Sequence, residues 1–210
     1  MARIRDKSLY LVISRKFANG KKIMDIAKSA ISGGVDIIQL REKDMPAGEL
    51  VDIATDMSRL CRENGVIFIV NDDPDIAVRS GAAGVHLGQE DIKRHDLHRV
   101  RDLLGPEGII GLSTHSLEQF RAAESTDIDY IAYGPIFPTK TKDYYIGAGD
   151  VTQVASGSMK PVFFIGGIDL DNIGTLISKG ASNIALIRGM LGADDIAART
   201  REFKNRIEKT

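Results

Sequence analysis

Cysteine is nearly absent: Cys61 stands alone in a chain of 210 residues, so no internal disulfide can form. No second thiol lies at metal-ligand spacing either, which fits a reducing compartment. The preceding residues, Met57 to Leu60, read as a helix face on which Cys61 is a buried, inert thiol and not a nucleophile. No stretch approaches the ~20 apolar residues that a membrane span needs, so a soluble protein is expected. Excess charge is missing as well: 28 basic and 29 acidic residues leave a net charge of −1, with neither sign gathered into a tail. That balance argues against nucleic acid or an anionic membrane as a partner. The opening MARIRDKSLYLVISRK places basic residues before an apolar run, but the run is only Leu9 to Ile13, and charge resumes at Arg15 and Lys16. It reads as a first strand and not as a signal peptide, and the protein is expected in the cytoplasm. No low-complexity tract or Pro/Ser-rich linker divides the chain, so residues 1–210 are expected to form one domain.

What is present is a recurring alternation. Eight short β-rich apolar runs cover Leu9 to Ile13, Ile37 to Leu40, Ile67 to Val70, Gly84 to Leu87, Ile109 to Leu112, Tyr130 to Tyr133, Val162 to Ile165 and Ile184 to Ile187. Between them, segments such as MDIAKSAISGG, ELVDIATDMSRLCRENG and LDNIGTLISKG space apolar residues three and four apart and end in glycine, as amphipathic helices do. Eight strand-then-helix units in so short a chain predict an α/β fold, a single (β/α)8 TIM barrel. A doubly wound nucleotide-binding sheet also alternates strand and helix, but it usually shows Gly-x-Gly-x-x-Gly after its first strand, where this chain has Ser14, Arg15 and Lys16. The longest stretch without helical spacing, Pro135 to Asp150, is a candidate active-site flap.

In such barrels the reactive groups stand at the C-terminal ends of the strands. Here those ends carry Arg41, Glu42 and Lys43; Asn71, Asp72 and Asp73; Gly88 to Asp91; Ser113, Thr114 and His115; Thr139 to Lys142; Gly166 and Gly167; and Arg188 and Gly189. Arg41, Lys43 and Lys142 supply a planar fork and two point charges suited to a pyrophosphate. Carboxylates beside a phosphate need a divalent cation between them, and Mg2+ takes one or two carboxylates together with phosphate oxygens and water. Asp72 and Asp91, from adjacent strands, can share such an ion. For any one of these residues the plain alternative is a solvated loop charge or a rim ion pair.

Gly166, Gly167 and Gly189 are candidates for a monophosphate site on backbone N–H groups, or, for the first two, simply permit a tight turn before a helix beginning near Asp169. His86 alternates with Val85 and Leu87 and so faces away from them, toward either the lumen or the helix layer. His115 is placed to orient the turn that Ser116 caps, and His95 and His98 read as surface residues. No Ser/His/Asp or Cys/His set is evident, and the histidines lack metal-ligand spacing.

Taken in order, QLREK (Gln39 to Lys43), ND (Asn71, Asp72), GVHLGQED (Gly84 to Asp91), GLSTHS (Gly111 to Ser116), GPIFPTKTK (Gly134 to Lys142) and IGGI (Ile165 to Ile168) resemble the strand-end motifs of the thiamine-phosphate synthase family. That family joins hydroxymethylpyrimidine diphosphate to hydroxyethylthiazole phosphate with release of pyrophosphate. The resemblance implies that Gln39, Arg41, Lys43, Asn71 and Lys142 contact the pyrimidine diphosphate, with Ser113 near its pyrophosphate. It implies that Asp72 and Asp91 hold Mg2+, and that Thr139, Thr141, Gly167, Ile187 and Arg188 hold the thiazole phosphate. Catalytic roles would fall to Lys43, Lys142 and Ser113. A dissociative displacement needs positioning and leaving-group stabilisation but no covalent nucleophile.

Several positions depart from the family pattern. Asp73 stands where arginine commonly follows ND, Arg188 replaces a small hydroxyl residue, and Asp143-Tyr144-Tyr145 replaces a proline-containing flap. Arg188 either strengthens a phosphate contact or blocks the thiazole site; Tyr144 and Tyr145 either close over the substrates or cover apolar surface. Competing functions are a thiazole tautomerase-like isomerase of the same fold, whose relatives typically lose the REK and ND groups, and a catalytically silent phosphate-binding barrel. The expected partners are small-molecule substrates; a homodimer is compatible with the sequence, which does not fix the oligomeric state.

Overall fold

Each of the eight apolar runs becomes a strand of a closed parallel barrel. The computed structural model describes residues 4–140 and 142–209. The strands are β1 (Leu9–Ile13), β2 (Ile37–Leu40), β3 (Ile67–Asn71), β4 (Gly84–Leu87), β5 (Ile109–Thr114), β6 (Tyr130–Tyr133), β7 (Val162–Ile165) and β8 (Asn183–Leu186). Every strand pairs in parallel with its neighbours in the chain, and β8 returns to β1 with Leu9 opposite Ile184. Two ends run further than expected, β3 to Asn71 and β5 to Thr114, while β8 sits one residue earlier than Ile184 to Ile187. The shift in β8 brings Asn183 into the seam, where its Oδ1 accepts the Ser8 N–H at 2.9 Å.

Around the barrel lie α1 (Ile23–Ser32), α2 (Ala47–Glu63), α3 (Pro74–Ser80), α4 (Leu97–Leu104), α5 (Leu117–Glu124), α6 (Val151–Gly157), α7 (Ile173–Ile177), α8 (Arg188–Leu191) and α9 (Ile196–Glu208). Side-chain caps set several of their starts: Asp73 accepts from Ile76 N–H, Asp96 from His98, Ser116 from Gln119 and Asp195 from Ala198. The helix expected near Asp169 begins four residues later, at Ile173. Asp169 delays it, because its carboxylate accepts the N–H groups of Asp171 and Asn172 in a local turn that competes with the helix. No described helix is long and apolar enough to cross a membrane.

The period of two sorts each strand into two cores. Leu9, Leu11 and Ile13 pack outward with Val85, Leu87 and the apolar faces of the helices. Tyr10, Val12, Ile37, Ile69, Tyr130, Phe163 and Ala185 fill the lumen. Cys61 is fully buried in the outer core, and burial pushes its thiol up to about 12, as an inert structural thiol requires.

Candidate active site

The turn after β3 carries the most unusual backbone of the rim. Asp72 is a non-glycine residue at φ +66°, and the Asn71 carbonyl accepts the Asp73 N–H across it at 2.9 Å. This is a tight three-residue turn of the rare strained kind, of a type that persists only where the surroundings enforce it. Here β4 holds one side, with Asp72 N–H donating to His86 O at 2.8 Å, and α3 holds the other through the Asp73 cap and Pro74. Asp73, which departs from the family pattern, therefore serves the local backbone by starting the helix that pins Asp72.

The turn aims Asp72 at Asp91. Asp91 is itself fixed by its carboxylate, which accepts the Gly88 N–H at 2.8 Å. Burial first, and then the facing Asp91 carboxylate, push Asp72 up to about 6, against the pull of Lys43 and Arg41. Lys43 Nζ stands 4.0 Å from Asp72 Oδ2. Arg41, Lys43, Asp72 and Asp91 thus gather at one place on the C-terminal rim, as the strand-end pattern implied. Glu42 turns away to Arg15, and Glu90 is exposed and pairs with Lys93.

Below this group the lumen is polar. Gln39 is buried and its Nε2 donates to Tyr10 Oη at 2.9 Å. Tyr10 and Tyr130 hydroxyls are 2.9 Å apart, Tyr130 Oη is 2.9 Å from His86 Nδ1, and His86 Nε2 is 2.8 Å from Ser113 Oγ. His86 therefore faces the lumen and not the helix layer. Burial holds its imidazole down at about 4, so it is neutral near pH 7. Asn71 is opposite His86 in the β3–β4 register, and Gln89 Nε2 donates to Ser113 O at 2.6 Å. Gln89 lies in the strand-end set after β4, whereas Tyr10 and Tyr130 join this network without being singled out by the strand-end pattern. For the tyrosines a signal exists in the chain: both stand inside apolar strand runs, and a buried tyrosine hydroxyl calls for a partner.

In the flap after β6, Thr139 is bridged to Lys142; Thr141 lies outside the described residues. Lys142 is exposed, with Nζ 5.7 Å from the Tyr144 ring centre, and Tyr144 meets His115 edge-on at 5.9 Å. His115 Nδ1 donates to the Gly134 carbonyl, so it does orient the turn, as expected. Burial, with Lys142 as a smaller contribution, lowers the His115 imidazole below its ordinary value. His98 is exposed, whereas His95, expected on the surface, is half-buried between α3 and α4.

Gly166 and Gly167 have φ of +99° and +66°, and added Cβ atoms would lie 2.3 Å from Pro135 Cβ and 2.5 Å from Pro138 O. They are needed for the turn and for the close seating of the flap on β7. Gly189 approaches the next loop as tightly, at 2.6 Å from Ile168 O to its virtual Cβ, so the ends of β7 and β8 touch. Ile187 precedes α8, and the Arg188 guanidinium lies 5.9 Å from the Phe17 ring centre, toward the loop after β1.

A family model described as thiamine monophosphate synthase matches residues 9–190. The thiamine-phosphate synthase of Persephonella marina is 39% identical over 205 residues, covering 97% of each chain. In structure, the thiamine phosphate pyrophosphorylase of Pyrococcus furiosus superposes with a TM-score of 0.87 at 32% identity, covering 97% of both chains. A more distant barrel, KGPDC of Streptococcus mutans, reaches 0.70 at 17% identity and shares the fold alone. With the ordered strand-end motifs and a match across nearly the whole barrel, the chain belongs to the thiamine monophosphate synthase family of transferases.

Proposed function

We propose that the chain forms thiamine phosphate by joining hydroxymethylpyrimidine diphosphate to hydroxyethylthiazole phosphate, with Mg2+ at Asp72 and Asp91. The observation that carries this reading is the convergence of Arg41, Lys43, Asp72 and Asp91 on one rim site. Two hard carboxylate oxygens facing each other, with the proton affinity of one raised by the other, suit a divalent cation. No group of three histidine, cysteine or acidic residues stands ready as a cage among the described residues. That fits an ion completed by phosphate oxygens and water. When bound, Mg2+ would supply positive charge against the diphosphate oxygens.

The side chains divide the remaining work. Arg41 and Lys43 neutralise the diphosphate from the β2 end, and Lys142 reaches it from the flap. Gln39 and Asn71 face the pyrimidine from the lumen side, and Ser113 stands at the edge of the diphosphate. Pyrophosphate leaves with the electron pair of the C–O bond, the pyrimidine methylene carries the positive charge, and the thiazole nitrogen attacks it. Thr139, Gly167 and Ile187 hold the thiazole phosphate where the β7 and β8 loops meet the flap, Thr141 and Arg188 are assigned to the same phosphate by the family resemblance, and the two rings are held in line.

The test is direct. The purified chain is incubated with both heterocycles and Mg2+, and pyrophosphate release is followed. Release that requires all three components supports the reading; no release, with the chain folded, overturns it. An isomerase or a silent barrel gives no pyrophosphate.

A further inference from the structure

Gln39, Tyr10, Tyr130, His86 and Ser113 form a continuous hydrogen-bonded row across the lumen, with steps of 2.9, 2.9, 2.9 and 2.8 Å. Each hydroxyl carries one proton and a neutral imidazole carries one, so the direction of one bond dictates the next. The amide nitrogen of Gln39 can only donate, so Tyr10 accepts there and its single proton is left for Tyr130, its other partner in the row; either hydroxyl can donate by geometry, and this order gives every proton of the row an acceptor. Tyr130 in turn sends its proton to Nδ1 of His86, which must be bare. The imidazole proton therefore sits on Nε2 and is donated to Ser113 Oγ. The proton of Ser113 itself is left for an acceptor outside the row, and Ser113 is the half-buried member at the rim.

We propose that Tyr10, Tyr130 and His86 are positioning residues: a one-way row that fixes His86 as its Nε2–H tautomer and makes Ser113 a hydrogen-bond donor toward an anionic ligand. The proposed function enters only in identifying that ligand as the diphosphate end of the substrate. The opposite direction would put a proton on Nδ1, draw the Ser113 hydrogen inward, and present oxygen lone pairs to the ligand, which a phosphate would repel.

Two features keep the row in place. Tyr10 and Tyr130 are 2% and 0% exposed, and burial raises both phenols far above their ordinary value, so neither ionises to break the count of protons. The Tyr130 ring is also wedged. It lies over Gly111, where an added Cβ would stand 2.0 Å from Tyr130 Cζ, and Tyr10 and Phe163 meet it edge-on at 5.9 and 5.4 Å. Its hydroxyl cannot swing away from His86 without displacing these rings.

Nitrogen-15 NMR of the ligand-free full chain reads the tautomer directly, with the His86 signals assigned by their loss in His86→Gln. The expected spectrum has Nε2 protonated and Nδ1 bare from about pH 6 to 8. A protonated Nδ1, or an even mixture, overturns the proposal. Tyr130→Phe should abolish the preference and lower kcat/KM for the pyrimidine diphosphate about tenfold, leaving the KM for thiazole phosphate within about twofold. Tyr10→Phe keeps the Tyr130–His86 bond but removes the hydroxyl that sets its direction, so the tautomer preference should weaken; a preference as strong as in the wild type would show that the row does not set the direction and sink the idea. In a Ser113→Ala background Tyr130→Phe should change kcat/KM less than about twofold, because its effect passes through Ser113; fully independent effects count against the row. If Tyr130→Phe fails to fold, the wild-type spectrum decides alone. A wild type with the expected tautomer but no condensation defeats the proposed function and leaves the row standing.

Discussion

Asp72 and Asp91 face each other across the ends of β3 and β4 closely enough to hydrogen-bond, and the metal-free pair keeps a proton on Asp72 up to about pH 6. Two carboxylates in one place resist ionising together, which is the electrostatic condition that a divalent cation relieves.

With Mg2+ bound at this pair, as proposed, the shared proton sets the pH dependence of its binding. The raised value of Asp72 is a destabilising contribution to the metal-free fold. It is absent below the ordinary carboxylate range, grows as pH rises toward 6, and is fully present above it. Mg2+ must displace that proton, so its affinity should fall as pH drops through about 6, approaching tenfold per unit on the acid side. Thermal unfolding with and without Mg2+ measures this: the ion should raise Tm at about pH 7.5 and add little at about pH 5. Equal stabilisation at both values would remove Asp72 from the metal site.

The aim of Asp72 also costs backbone strain at φ +66°. Asp72→Ala and Asp72→Gly should both lose Mg2+-dependent condensation while folding normally. The glycine variant accepts this φ freely and should be more stable than the alanine variant by about 1 kcal/mol in urea unfolding. Equal stability would mean that the turn is not strained.

Much of this is legible in the chain. Strand positions follow from apolar runs, and the rim group follows from what stands at strand ends, because in a parallel barrel every C-terminal end reaches the same face. Alternation shows that His86 opposes Val85 and Leu87, yet not which side is the lumen. That choice depends on closure: only when β4, β5 and β6 curve together does Gly111, in register with both His86 and Tyr130, open the space that joins them. Asp73 is legible as a departure from the family pattern, but its use as a helix cap depends on where α3 begins. The later start of α7 escapes a reading by periodicity because the Asp169 turn is a local competitor that spacing does not register.

Gly111→Ala tests the lumen packing. Its Cβ would lie 2.0 Å from Tyr130 Cζ and 2.4 Å from Tyr130 Oη, with other rings blocking retreat. Overpacking of this kind should cost about 1–3 kcal/mol in urea unfolding. In a Tyr130→Val background, where the ring is gone, the same change should cost much less. An undiminished cost there would place the clash elsewhere.

On the flap the Lys142 ammonium stands 5.7 Å from the Tyr144 ring centre, and Tyr144 leans edge-on to His115. With Lys142 a diphosphate contact, as proposed, the aromatic face pre-positions its ammonium, so Tyr144 should act through Lys142. Exposed cation–π contacts contribute roughly 0.5–1 kcal/mol, so Tyr144→Leu should raise the KM for the pyrimidine diphosphate about two- to fivefold, whereas Tyr144→Phe, which keeps the ring face, should stay near wild type. Lys142→Ala should raise that KM further, because a charge-assisted contact to phosphate is lost outright. Steady-state kinetics with each substrate varied in turn separates the outcomes. If Lys142→Ala instead changes only the KM for thiazole phosphate, the lysine serves the other half of the rim, and the division of the site between the two substrates has to be redrawn around the flap.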